Sequence, residues 1–73
     1  MSKASAAEID RAIGASIRNR RHKKKMSQTE LGELLGVTPM AVQHYETGRS
    51  ALTVVKLVKI AEALGCRTKD LMP

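Results

Sequence analysis

A segment near the middle of the chain carries side chains whose types and spacing suit contact with the edges of nucleotide bases. At about 100° per residue, a helix over this segment places Val42 and Tyr45 on one side. Its opposite face then holds Met40, Gln43, His44 and Thr47. The amide of Gln43 can pair with adenine, the imidazole of His44 can donate to guanine, and a methionine can pack on the thymine methyl group. This combination indicates a surface for reading bases.

Two features beside this face support that interpretation. An ordinary solvated face would be expected to carry Lys and Glu, and this face carries neither. Arg49 follows the segment directly and is placed to hold a phosphate. Tyr45 has two interpretations, a ring packed in the core, which is the commoner role, or a hydroxyl that reaches a phosphate.

Length and composition restrict the class of protein. Seventy-three residues suit one small domain, 1–73, with residues 1–5 expected to form a flexible N-terminus. Aromatic residues amount to 1%, which excludes an RNA-binding surface of stacked rings and argues against a β-sandwich. Thirteen Lys and Arg against seven Asp and Glu give a net charge of +6. Such a charge indicates a polyanionic partner, either nucleic acid or an anionic membrane surface.

Helical spacing extends over nearly the whole chain. A first helix is predicted from near Ser5, which forms a capping box with Glu8, to near Lys24. Its apolar stripe comprises Ile9, Ile13 and Ile17. A fourth helix is predicted between a Thr53 cap and Gly65, and a last turn over 68–72 is expected to bury Leu71. With no strand-like alternation, the fold class is all-α.

The middle of the chain predicts two helices joined by a tight turn. Ser27 and Glu30 form a second capping box, and Gly36 ends the short helix that follows. The apolar positions of this helix are Leu31, Leu34 and Leu35. Thr38 is a good N-cap for a third helix over Pro39–Thr47. This is the outline of a helix-turn-helix, whose second helix lies in the DNA major groove.

Two further features of this region each have two interpretations. Gly32 lies mid-helix, where glycine costs ~1 kcal/mol relative to alanine. It is either merely tolerated or required by a close crossing of helices two and three, and Gly36 and Val42 at fixed offsets favour the close crossing.

The run 18–25 contains six of the thirteen basic residues. It is either a solvated face or, in part, a surface near DNA phosphates, in which case affinity falls steeply with salt.

Other classes of chemistry find no support. His22 and His44 with one cysteine, Cys66, are too few for a metal site, and Cys66 is expected to pack as a small hydrophobe. No phosphate-binding glycine loop, metalloprotease motif or acid/base pair suggests an enzyme or a cofactor. No signal peptide or membrane-spanning run is present, so we expect a cytoplasmic protein that does not bind a membrane.

Three stretches resemble the lambda-repressor/Cro-like (xenobiotic-response-element type) helix-turn-helix family. They are MSQTELGELLGVT (26–38), VQHYETG (42–48) and KIAEALG (59–65), and the resemblance covers about residues 9 to 72. It implies a compact five-helix DNA-binding domain with the helix-turn-helix at helices two and three. Such domains usually bind a two-fold symmetric operator on double-stranded DNA as homodimers.

The resemblance also implies roles for individual residues. The residues expected to line the groove and read bases are Thr38, Pro39, Met40, Gln43 and His44. Those expected to meet the DNA backbone are Gln28, Thr47 and Arg49, joined by Lys25 from the basic run. The residues expected to be structural are Gly32, Gly36, Val42, Tyr45 and an Arg21–Glu46 pair. The sequence departs from the family where leucine, glycine and proline are usual, at Arg20, Lys25 and Leu52.

Together these observations predict a sequence-specific transcriptional regulator, a repressor that acts sterically as a dimer, without cofactor or small-molecule effector. Val58 and other apolar residues of helix four that the core does not use are candidates for the dimer surface. The alternative is an antitoxin-type or adaptor protein whose main role is to bind a protein partner.

Overall fold

The computed structural model describes residues 4–73, and this part of the chain contains helices and no strand. Helix α1 spans Ala6–Lys23, α2 Gln28–Leu35, α3 Pro39–Thr47 and α4 Val54–Leu64, followed by a 3₁₀ helix at Thr68–Leu71. The expected all-α class is confirmed. The expected count of five helices is wrong for the described residues, because the last element is a single 3₁₀ turn and not a fifth α-helix.

The helix boundaries follow from local capping chemistry. An N-cap hydroxyl accepts a hydrogen bond from the amide three residues further on at each α-helix, and these caps are Ser5, Ser27, Thr38 and Thr53. Three helices end at a glycine in the left-handed region: Gly36, Gly48 and Gly65. Each predicted boundary therefore agrees with the structure to within a residue. Of the segment 1–5 that we expected to be flexible, residues 1–3 lie outside the described part, and Ser5 caps α1.

Every element contributes to one hydrophobic core. The fully buried side chains are Ile17, Leu31, Val42, Ile60, Leu64 and Leu71. The 3₁₀ turn buries Leu71, as expected. Three residues that we expected on the apolar faces of helices one, two and four do not belong to this core, since Ile9 is 36%, Leu34 62% and Val54 73% exposed. Cys66 is half-buried and packs against the core.

Glycine permits close approach at two helix positions. A Cβ on Gly32 would lie 2.7 Å from the carbonyl oxygen of Val37, so this glycine packs against the turn that leads into α3. A Cβ on Gly14 would lie 2.5 Å from the carbonyl oxygens of Tyr45 and Glu46 at the end of α3. These two contacts fix α3 against α1 and against the α2–α3 turn.

Candidate nucleic-acid interface

Helix α3 presents one face to solvent and the other to the core. Val42 and Tyr45 are buried, whereas Gln43 and Thr47 are exposed and Met40 is 64% exposed. Thr38 and Pro39 at the start of the helix are also exposed. His44 is half-buried, so its side chain is less accessible than those of the other residues of this face, which are exposed. Below, "the recognition face" means Thr38, Pro39, Met40, Gln43, His44 and Thr47.

The two threonine hydroxyls of the recognition face are used differently. Thr38 Oγ1 accepts a hydrogen bond from the amide of Ala41 at 3.1 Å, which leaves its own hydroxyl proton available for a phosphate or a base. Thr47 Oγ1 lies 2.9 Å from the carbonyl oxygen of Gln43, to which it donates. A phosphate contact through the Thr47 proton therefore requires its side chain to rotate away from the helix.

Behind α3, a buried ion pair joins α1 to the end of this helix. Arg21 Nε lies 2.6 Å from Glu46 Oε2, and Arg21 Nη2 lies 3.0 Å from Glu46 Oε1. Arg21 Nη1 also donates to the carbonyl oxygen of Met26 at 2.9 Å. The side chains are 9% and 2% exposed. The hydrogen bond to the Glu46 carboxylate raises the pKa of Arg21, so the guanidinium is held in its charged form.

Gln28, the first residue of α2, belongs to the same network. Its side-chain amide donates to Glu46 Oε1 at 3.2 Å. The residue that we expected at the DNA backbone thus also connects the N-terminus of α2 to α3. Sequence reasoning did not identify this third member, because a contact between residues 18 positions apart leaves no signal in helical spacing.

Exposed cations lie near both ends of the helix-turn-helix in the sequence. Lys25 is exposed and lies just before α2, and its backbone has a φ of 55°, the only positive φ outside glycine in residues 4–73. This left-handed conformation explains why glycine is usual at the position in the resembling family. Arg49 is exposed directly after Gly48, and its amide donates to the carbonyl oxygen of His44 at 2.9 Å.

The α2 N-terminus lies between these cations in the sequence and begins with a capping box. Ser27 Oγ accepts from the amide of Glu30 at 3.0 Å, and Glu30 Oε1 accepts from the amide of Ser27 at 3.0 Å. The hydrogen bond from the Ser27 amide lowers the pKa of Glu30. A helix start of this kind, with its positive dipole end, suits a neighbouring phosphate.

Within residues 4–73, no group of three or more His, Cys, Asp and Glu side chains is arranged to hold a metal ion. No helix in this part of the chain is both long enough and apolar enough to cross a bilayer.

Known proteins are similar to this chain in sequence and in fold. The family model described as "Helix-turn-helix" matches residues 17–71. An uncharacterized HTH-type transcriptional regulator of Sinorhizobium fredii is 45% identical over 56 residues, which cover 77% of this chain and 39% of that protein. The chain thus spans about two fifths of the length of this curated relative.

Two solved structures illustrate the breadth of the fold. The restriction-modification controller protein C.AhdI from Aeromonas hydrophila has a TM-score of 0.80 and 29% identity, covering 85% of this chain and 94% of that chain. Hydroxypropylphosphonic acid epoxidase from S. wedmorenis has a TM-score of 0.85 and 33% identity, covering 89% of this chain but only 35% of that chain. The likeness to the epoxidase is therefore confined to about a third of that enzyme.

The family model covers most of the chain, and the sequence relative is named as an HTH-type transcriptional regulator. This chain belongs to the helix-turn-helix family of transcriptional regulators, of the Cro/C1 type.

Proposed function

We propose that residues 1–73 act as one unit that binds double-stranded DNA sequence-specifically, with α3 in the major groove. The observation that carries this proposal is the division of α3 into two faces: Val42 and Tyr45 are buried, while Met40, Gln43 and Thr47 are exposed. An α-helix of this size fits the major groove of B-DNA. Within the recognition face, Thr47 then meets the DNA backbone and the other residues contact base edges.

The DNA backbone is held on either side of this helix. Lys25, the N-terminus of α2 at Gln28, and Arg49 lie next to the helix-turn-helix in sequence and are accessible at least in part. Backbone contacts of this kind orient the recognition helix without reading sequence. The Arg21–Glu46 pair supports the arrangement from behind, because it fixes α3 against α1.

We propose that the protein acts as a repressor and binds a palindromic operator as a homodimer in the cytoplasm, without cofactor or effector. Three valines of α4 remain outside the core and provide an apolar surface for a second copy: Val54, Val55 and Val58. Their side chains are 73%, 63% and 39% exposed, and a patch of neighbouring exposed apolar residues often marks a protein contact. A two-fold dimer places the two α3 helices about 34–36 Å apart, at half-sites one helical turn apart.

Selection of bound duplexes from a random DNA pool tests this function. We expect enrichment of one short motif repeated with two-fold symmetry, and an affinity for the selected duplex at least about 10³-fold above that for random duplex at physiological salt. An enriched pool without any sequence preference would contradict sequence-specific binding. A single half-site without symmetry would contradict the dimer alone.

A second candidate is an antitoxin-type or adaptor protein whose main role is to bind a protein partner. The exposed Leu34 favours it, because this side chain lines a concavity together with the apolar residues Leu35 and Ala63. A salt-dependent gel shift separates the two candidates. An adaptor that no longer reads DNA gives the same weak shift with selected and random duplex.

A further inference from the structure

The side chains of the basic run 18–25 point to different sides of α1. Arg21 points toward α3, where it pairs with Glu46. Arg20, one position earlier and rotated by about 100° on the helix, lines a concavity together with Leu64 and Gly65 at the end of α4. Lys24 lies against the end of α4, because a Cβ on Gly65 would be 2.9 Å from the Lys24 ammonium. The cations of this run therefore divide between the two flanks of α1.

The flank that faces away from α3 forms a shallow basic concavity. A volume of about 220 Å³ is lined by Arg20, Lys23, Lys24, Leu64 and Gly65. Its apolar lining residue, Leu64, is buried, so the accessible side chains are cationic.

The neighbouring 3₁₀ helix extends the positive charge. Asp70 Oδ2 accepts from the amide of Arg67 at 3.0 Å, and this hydrogen bond, with the charges of Arg20, Arg67 and Lys69, lowers the pKa of Asp70. The 3₁₀ helix packs against α1, and Arg67, Lys69 and Asp70 at this helix are exposed. We call the group Arg20, Lys23, Lys24, Arg67 and Lys69, with the single carboxylate of Asp70, the second basic surface. Within residues 4–73 the only ion pair is Arg21–Glu46, so these cations are not paired with carboxylates of the described chain.

We propose that the second basic surface binds the phosphate backbone of a second DNA duplex while α3 holds the first, so that one molecule bridges two segments of DNA. The inference rests on the proposed function, because α3 must hold the first duplex. A duplex on the recognition face would lie on the α3 side of α1, to which Arg21 points, whereas Arg20 and Lys24 line the concavity at the end of α4.

The chemistry of this surface favours a phosphate backbone over a protein or a membrane. Phosphate contacts need cations and no apolar surface. Protein interfaces are enriched in aromatic and other apolar side chains at their centre, and a membrane-binding surface needs exposed apolar anchors. The concavity offers neither aromatic side chains nor exposed apolar anchors. Its shallow form matches a convex polyanion better than a deep ligand site.

Capture of DNA on beads tests the proposal. The selected duplex is immobilised, the protein is added, and a fluorescent duplex of unrelated sequence is supplied in solution. We expect the wild-type protein to retain the second duplex, with a retention that falls steeply as salt rises. Lys23→Gln together with Lys69→Gln removes two exposed cations, which should lower the slope of log retention against log salt by about two. The affinity of this double variant for a single selected duplex should stay within about threefold of the wild-type value, because both side chains are remote from the first interface.

Two matched variants sharpen the result. Asp70→Asn removes the one carboxylate of this surface but keeps an acceptor for the Arg67 amide, and it should increase retention. Lys56→Gln together with Lys59→Gln removes the same charge from α4, where both lysines line a different concavity, and it should leave retention unchanged.

The outcomes separate this inference from the proposed function. If the wild type binds the immobilised duplex but retains no second duplex, bridging is overturned and sequence-specific binding stands; if it binds no duplex, the proposed function itself fails. Retention that is unaffected by Lys23→Gln with Lys69→Gln but lost in Val55→Ser with Val58→Ser would show bridging through a dimer, which also overturns the proposal. A poly-glutamate peptide that binds this surface more tightly than the duplex at equal salt would assign it to an acidic protein instead.

Discussion

Gly14 of α1 lies directly against the backbone of Glu46 at the end of α3. A Cβ on Gly14 would be 2.5 Å from the Glu46 carbonyl oxygen and 2.7 Å from its carbonyl carbon. Backbone atoms cannot move aside as the end of a flexible side chain can. The position of the recognition helix relative to α1 therefore depends on the absence of one methyl group.

Gly14→Ala should destabilise the protein, although alanine is the better helix former by ~1 kcal/mol. Overpacking typically costs about 1–3 kcal/mol, and here the clash is with backbone, so we expect a net loss near 1–2 kcal/mol in the free energy of unfolding. Urea denaturation measures it. Ala15→Ser, at the adjacent exposed position, is the control and should stay within about 0.5 kcal/mol. An alanine variant as stable as the wild type would show that α1 and α3 can separate without cost.

Glu46→Gln should be strongly destabilising, because it leaves the guanidinium of Arg21 buried without a counter-charge. Removing one partner of a buried pair costs about 3–5 kcal/mol. Thermal unfolding followed by circular dichroism measures the effect, and Glu33→Gln on the exposed side of α2 is the control. Arg21→Met combined with Glu46→Leu should recover much of the loss, since it removes both charges. A double variant less stable than Glu46→Gln would argue against charge burial as the cause.

Lys25→Gly should stabilise the fold and weaken DNA binding. The left-handed backbone at Lys25 costs a non-glycine residue about 1–2 kcal/mol, which glycine avoids. A gain of about 1 kcal/mol raises the melting temperature by about 4–8 °C in a domain of this size. Loss of one phosphate contact should lower the slope of log affinity against log salt by about one.

Two variants separate backbone from charge at this position. Lys25→Gln removes the charge and keeps the strain, so it should weaken DNA binding without raising the melting temperature. Lys25→Asn removes the charge and tolerates the left-handed region, so its melting temperature should lie between those of the glutamine and glycine variants. A glycine variant that binds DNA with an unchanged salt slope would remove Lys25 from the backbone contacts.

Gln43→Ala should reduce affinity for the selected duplex by about 1–3 kcal/mol and relax the preference at one base pair, because its exposed amide is proposed to read a base edge. The fold should be unaffected, since the side chain is outside the core. Fluorescence anisotropy with selected and single-substituted duplexes measures both effects. An equal loss on selected and random duplex would assign Gln43 to the backbone instead.

Stability should fall with acid partly through Glu30. Its pKa is lowered in the folded state by the Ser27 amide, so its contribution is present above the ordinary value of 4.5 and is lost as pH falls through the lowered value. The melting temperature should therefore decline below about pH 4.5, and Glu30→Gln should show a smaller decline. Glu33→Gln, which removes an exposed carboxylate of the same helix, serves as the matched control. An identical decline in both variants would show that the capping box is not responsible.

Local chemistry allowed the helices to be predicted almost to the residue. Ser27, Thr38 and Thr53 are caps because a short hydroxyl side chain satisfies an amide that the helix leaves unpaired, and Gly36 and Gly65 end helices because glycine accepts a positive φ. These interactions extend over three or four residues, so the sequence carries them directly. The residues predicted one last turn over 68–72, and the structure has a 3₁₀ turn at Thr68–Leu71; the expected fifth helix came from the family resemblance and not from the periodicity.

The sequence by itself thus determined the all-helical class, the helix boundaries, the polar face of α3 and the excess of positive charge. Only the tertiary structure decided that Gly14 meets Glu46, that Gln28 joins the Arg21–Glu46 pair, and that the basic run divides between two flanks of α1. The physical reason is the sequence distance over which the interactions act. Capping and periodicity involve residues that are close in sequence. The contacts between helices, in contrast, depend on how all the elements pack around one core.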